Sequence, residues 1–105
     1  MKSAKLNQLL NIKYPIIQAP MFLVSNTKMV IEAMKSGIAG CIPALNYRNE
    51  EDLRLAIKEL KAAKVEGGSY GFNLIVNKSN IKYLGQLKIL CEEGVDFIIT
   101  SLGSP

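Results

Sequence analysis

Residues 14–21 read Tyr-Pro-Ile-Ile-Gln-Ala-Pro-Met, a short apolar strand closed abruptly by a second proline. Pro15 can open a strand where no ladder donor is needed. Ile16 and Ile17 are β-branched, and Pro20 has no N–H with which to continue pairing. The chain from Ala19 to Phe22 must therefore leave the sheet at a strand's carboxyl end, where α/β folds place their ligands.

Working outward, residues 38–44, 70–76 and 95–101 are three more short and almost continuously apolar segments. Strands apolar on both faces belong to parallel sheets covered by helices, and the intervening segments are long enough for crossover helices. The first carries a stripe of Met29, Val30, Ala33 and Met34, with Ser25 or Asn26 as cap and Gly37 past the end. The second is capped by Asn49, opens on Glu50, Glu51 and Asp52, ends in lysines and buries Leu53, Ala56, Ile57, Leu60 and Ala63. In the third, Ile81, Leu84, Leu87, Leu90 and Cys91 supply a face, while Gly85 interrupts it at a cost of about 1 kcal/mol. Glu92 and Glu93 crowd its negative end, and Gly94 stops it.

Residues 1–13 read as a short amphipathic helix and lack the pattern of a signal peptide. The order is thus a leading helix followed by βαβαβαβ. A (β/α)8 barrel needs about 250 residues, so the chain is either the first three βα units plus strand four of such a barrel or a small doubly wound sheet.

Composition narrows the function. The 105 residues allow one domain, and 49% hydrophobic with 21% charged residues is the balance of a globular chain. No apolar run approaches the roughly 20 residues of a membrane span, so a cytoplasmic protein is expected. The charge is +4, from 13 basic and 9 acidic residues, and the surplus is dispersed. Lys58, Lys61 and Lys64 follow helical spacing opposite an apolar face and read as solvated surface. No aromatic residues interleave with them, which argues against nucleic acid. Cys41 and Cys91 stand singly in apolar patterns, so core packing is expected and no metal site. Histidine, the commonest general base at neutral pH, is absent. Tyr47 and Tyr83 read as surface or packing residues.

Asn73 stands out among Phe72, Leu74, Ile75 and Val76. An unbonded amide in a buried strand costs a few kcal/mol, so it either satisfies a loop or faces a ligand, and the ligand is the favoured reading.

Residues 14–21 (YPIIQAPM), 70–74 (YGFNL) and 100–105 (TSLGSP) together resemble the nitronate monooxygenase family, formerly 2-nitropropane dioxygenases, in order and spacing across the chain. That resemblance implies an FMN-dependent (β/α)8 TIM-barrel type fold, of which residues 1–105 are an N-terminal portion: a partial barrel of three βα units plus strand four. It implies that Ala19, Pro20 and Met21 set backbone against the flavin ring, that Asn73 hydrogen-bonds the flavin, and that Gly103 allows close backbone approach. Gln18 and Ser101 are assigned from location only. The family's catalytic histidine and phosphate-binding glycine segments fall beyond the equivalent of Pro105, so no catalytic residue is expected here.

The activity implied is oxidation of alkyl nitronates with O2 to carbonyl compounds and nitrite, with a nitronate or nitroalkane as small-molecule substrate. A 105-residue chain is expected to be incomplete and inactive alone. Two alternatives stand beside it. One is the related flavin- and nicotinamide-dependent enoyl-ACP reductases, although Ala19 and Pro20 occupy positions where that branch often carries glycines. The other is a non-catalytic half-barrel that self-associates or pairs with a complementing C-terminal half through its open strand edges.

Overall fold

The computed structural model describes residues 8–21, 26–76 and 80–101. Its elements are β1 (Ile17–Gln18), α1 (Thr27–Lys35), β2 (Ala39–Pro43), a 3-10 turn (Ala44–Asn46), α2 (Glu50–Ala63), β3 (Ser69–Ile75), α3 (Tyr83–Glu93) and β4 (Phe97–Ser101). The four strands form one sheet in the order β1-β2-β3-β4, parallel at every step. Each strand lies beside the next in sequence, as right-handed βαβ units placed one after another require.

Which face the helices cover decides between the two architectures left open by periodicity. Tyr70, Phe72 and Leu74 of β3 and Ile42 of β2 share a single buried cluster with Val30 and Met34 of α1, Leu53, Ile57 and Leu60 of α2, and Ile89 and Leu90 of α3. All three helices therefore pack on one face, whereas a doubly wound sheet divides them between two. Sequential parallel strands with helices on the outer face make a segment of a (β/α)8 barrel. Strand alternation then puts Ala39, Cys41 and Pro43, Gly71, Asn73 and Ile75, and Phe97, Ile99 and Ser101 on the opposite, inner face, in register across β2, β3 and β4.

Caps fix where the helices begin. Asn26, not Ser25 (which lies outside the described residues), accepts from the Met29 N–H at 2.9 Å, and Asn49 accepts from the Asp52 N–H at 2.8 Å. Removing such a cap costs about 1 kcal/mol. Gly37 and Gly94, both at positive φ, turn the chain after α1 and α3. At the amino ends of the strands, Ile12 is buried and bridges to Gly67, and the Lys13 N–H donates to Gly67 O. Residues 8–10 are helical, and the earlier part of the expected leading helix lies outside the described residues.

Three expectations need correction. The first strand is two residues long, not the whole run at 14–21, because β1 has one neighbour and prolines without donors stand on either side of it. The buried side of α3 is Gln86, Ile89 and Leu90, while Ile81 is 91% exposed, Leu84 is 69% exposed, and Cys91 is exposed too. The helix is thus turned about one residue from the apolar phase, and the polar Gln86 goes inward. The lysines past mid-α2 are not all simply solvated: Lys61 pairs with Glu93 at 3.3 Å and Lys64 with Asp96.

Those pairs explain the two acids at the negative end of α3. Arg54 on α2 bonds Glu92 at 2.7 Å and Glu93 at 2.9 Å, so cations from the neighbouring helix offset the charge that α3 places unfavourably. Hydrogen bonds from Arg54 hold the Glu92 carboxyl below the usual carboxylate range, and bonds from Lys61 and then Arg54 do the same for Glu93.

Candidate functional site

The carboxyl ends of the strands carry the expected site. Gln18, the last residue of β1, registers with Gly40, and Asn73 registers with Pro43, the last residue of β2. Because all strands run the same way, Ala19, Pro20 and Met21 emerge at the rim on which Asn73 also sits. Ala19 and Met21 are exposed and Pro20 is half-buried. The Gln18 side-chain amide donates to Ala19 O at 2.6 Å, which fixes the carbonyl where the chain leaves the ladder. Gly103 lies outside the described residues.

Asn73 is half-buried on the inner face. Ser101, two residues beyond Asn73's partner Ile99 on β4, donates its hydroxyl to Asn73 Oδ1 at 3.2 Å. That bond ties the amide to β4, and Nδ2 remains a donor with no partner among the described residues. Ser101 had only its location to recommend it from sequence. Its role follows from register, which puts β3 position 73 and β4 position 101 diagonally on one face, and register is not written in either segment alone.

The inner face next to this pair is lined with small or flat groups. Cys41 and Pro43 stand on β2, and the ring of Phe97 lies over Gly71, which has no side chain to hold it off. Burial pushes the Cys41 thiol up to about 12, so it stays protonated and is no nucleophile. Tyr47 is raised by burial and by the Glu59 carboxylate. Tyr70 is raised to about 12 by burial, with Asp96 and Glu93 adding to it. These three groups are neutral at physiological pH. Among the described residues no group of three or more His, Cys, Asp or Glu side chains could hold a metal ion. Nor is any described helix long and apolar enough to cross a membrane.

Comparison with known proteins gives the architecture independently. No protein-family model matches the sequence, and no curated protein matches it. Among solved structures, FabK from Thermotoga maritima aligns over 96% of this chain at 24% identity with a TM-score of 0.79. A point mutant of the same protein aligns over 96% at 24% identity with a TM-score of 0.80. The chain spans 31% of the first structure and 33% of the second. The fold is accordingly that of a partial TIM barrel, about one third of the length of the barrel proteins it resembles.

Proposed function

We propose that this chain supplies one side of the flavin pocket of an FMN-dependent oxidoreductase of nitronate monooxygenase type. The observation that carries the reading is the coincidence at one rim of a strand followed by proline and an inward amide tied to Ser101. A flavin's pyrimidine edge presents carbonyl oxygens and ring nitrogens, and it needs backbone polar groups and an amide donor at one rim. Residues 19–21 and Asn73 Nδ2 fit that need. Gly103 belongs to the same proposal through the family resemblance.

When bound, FMN would supply the redox chemistry, taking electrons from the substrate nitronate and passing them to O2, with a carbonyl compound and nitrite as products. The chain's own residues bind and orient. Ser101 holds Asn73, Asn73 presents a donor to the ring edge, and the turn at Pro20 sets Ala19 and Met21 backbone beside it. None of them moves a proton, and with no histidine in the sequence the base for a neutral nitroalkane is not provided here. In FMN barrels the phosphate is gripped near strands seven and eight, so these positions account for the ring and not for the phosphate.

Titrating FMN into the protein tests the reading through the flavin's visible spectrum and fluorescence. Saturable quenching is expected, and Asn73→Leu should weaken it about tenfold, the loss of one hydrogen bond of roughly 1.4 kcal/mol. An unchanged flavin spectrum at high protein concentration would defeat it. The enoyl-ACP reductase alternative fits the FabK likeness equally well. Nitrite release from a nitronate, against oxidation of a reduced nicotinamide, separates the two in a full-length homologue.

A further inference from the structure

On the helix-covered side, a cleft of about 430 Å³ opens between the amino ends of α2 and α3. Its lining includes Arg48, Glu50, Tyr47, Ile81, Lys82 and Gln86. Gln86 is the unusual member, a polar side chain only 4% exposed in a helix of mostly apolar neighbours.

The direction of its amide follows from the hydrogen bonds of Asn80. Asn80 Oδ1 accepts from the Lys82 N–H at 3.2 Å and its Nδ2 donates to Ile75 O at 2.6 Å, so Asn80 has one possible orientation. Asn80 Nδ2 also donates to Gln86 Oε1 at 3.3 Å. Gln86 must therefore turn its oxygen to Asn80 and its nitrogen away. The two Nε2 hydrogens have no acceptor among the described residues, in a residue that lines the cleft. Nε2 is reached by solvent rather than sealed in the core, so it stands as a donor open to the cleft.

Charge points to the kind of acceptor. Neither Arg48 nor Lys82 has a carboxylate partner among the described residues. Lys82 Nζ instead donates to Arg48 O at 2.5 Å, which holds the two residues side by side. Glu50 is the carboxylate of the lining, and it rests against the first turn of α3, where a Cβ on Gly85 would lie 2.7 Å from its Oε2. There it is opposite the positive end of a helix that has no side-chain cap and no acid in its own first turn. With Glu50 so placed, the two cations and the Gln86 donor remain for a ligand. Ile81, 91% exposed, and the Tyr47 ring offer an apolar wall beside them.

We infer that this cleft binds a small organic oxyanion, with a flat apolar body lying against Ile81 and Tyr47 and its charged head accepting from Gln86 Nε2 and facing Arg48 and Lys82. The head is a carboxylate or a phosphate, and the probes distinguish them. The test is a titration of 15N-labelled protein with benzoate, phenyl phosphate and, as a cation of matching shape, benzamidine. The Gln86 side-chain amide pair is expected to shift saturably with benzoate, with phenyl phosphate or with both, the stronger one assigning the head, and not with benzamidine. Gln86→Glu keeps the oxygen that Asn80 needs but replaces the donor with like charge, and should weaken binding at least about tenfold. The surface change Arg48→Ser, which touches no core contact, should weaken it about threefold to tenfold. Equal response to benzamidine, no shift at Gln86 with either anion, or undiminished binding by both variants would overturn the assignment.

Discussion

At the scale of single residues, the closest fit in the sheet is at Gly71. A Cβ there would overlap the Phe97 ring and stand 2.5 Å from Phe97 O. The ring could swing aside, but the carbonyl is part of the β3–β4 strand pair. Gly71→Ala is therefore expected to cost about 1–3 kcal/mol, read as a lower urea midpoint. Adding Phe97→Leu should restore only part of it, because the carbonyl remains. The cysteines make a second test. Cys41 is buried with its thiol raised to about 12, whereas Cys91, which the apolar pattern placed in the core, is exposed. A thiol reagent should titrate one sulfhydryl per native chain and two after denaturation. Two reacting at the same rate in the native protein would show that Cys41 is not buried. The contrast illustrates what sequence reveals at this scale. Asn73 was legible as an anomaly because an amide among apolar residues must be bonded or used. The Ser101 hydroxyl that bonds it was not, because that contact depends on which residues of two strands lie side by side.

At the scale of elements, α2 was the most legible and α3 the least, for a physical reason. In α2 the cap, the acidic first turn, the apolar stripe and the basic last turn all indicate the same helix and the same buried side. In α3 the apolar residues occupy two phases, and what settles the rotation is long-range. Asn80 engages Gln86 from within, Glu50 of α2 needs the space at Gly85, and Arg54 and Lys61 hold Glu92 and Glu93 at the far end. The acid pairs have a pH signature whose sign is fixed. Both carboxyls are held below their ordinary value, so their contribution is fully present above the unfolded value, about pH 4.3, and is lost as pH falls through the lower folded values. Urea midpoints should drop with acidification below about pH 4.5. In Arg54→Met the drop should be shallower, since one set of partners is gone before protonation begins. A drop of the same steepness in that variant would show that the cross-helix pairs contribute nothing.

At the scale of the whole molecule, periodicity made the barrel legible only as one of two options, and the family resemblance was what pointed to the barrel. Apolar strands with crossover helices fit a doubly wound sheet and a barrel alike, and the distinction lies in whether α1, α2 and α3 share a face, which no single segment encodes. That shared face has a consequence for the 105-residue polypeptide in solution. With helices on one side only, the inner faces of β1 to β4 have no second layer among the described residues, and Ile17, Phe97 and Ile99 there are only half-buried. The outer edge of β4 presents a row of backbone groups with no partner strand among the described residues. Half-covered apolar side chains and an open parallel edge both gain from adding another sheet, so association with a second copy or a complementing half is expected. Light scattering of the polypeptide should give a mass above that of one chain, falling on dilution. Thr100→Pro on the β4 strand should reduce association if the unpaired edge is what joins the copies, since proline removes a donor and stiffens the strand. Equal association in that variant would move the contact from the edge to the inner face, where Ile99→Asp should then abolish it. A monodisperse single-chain mass at high concentration would mean that the inner face is closed from within, and the association proposed from the open edge would fail with it.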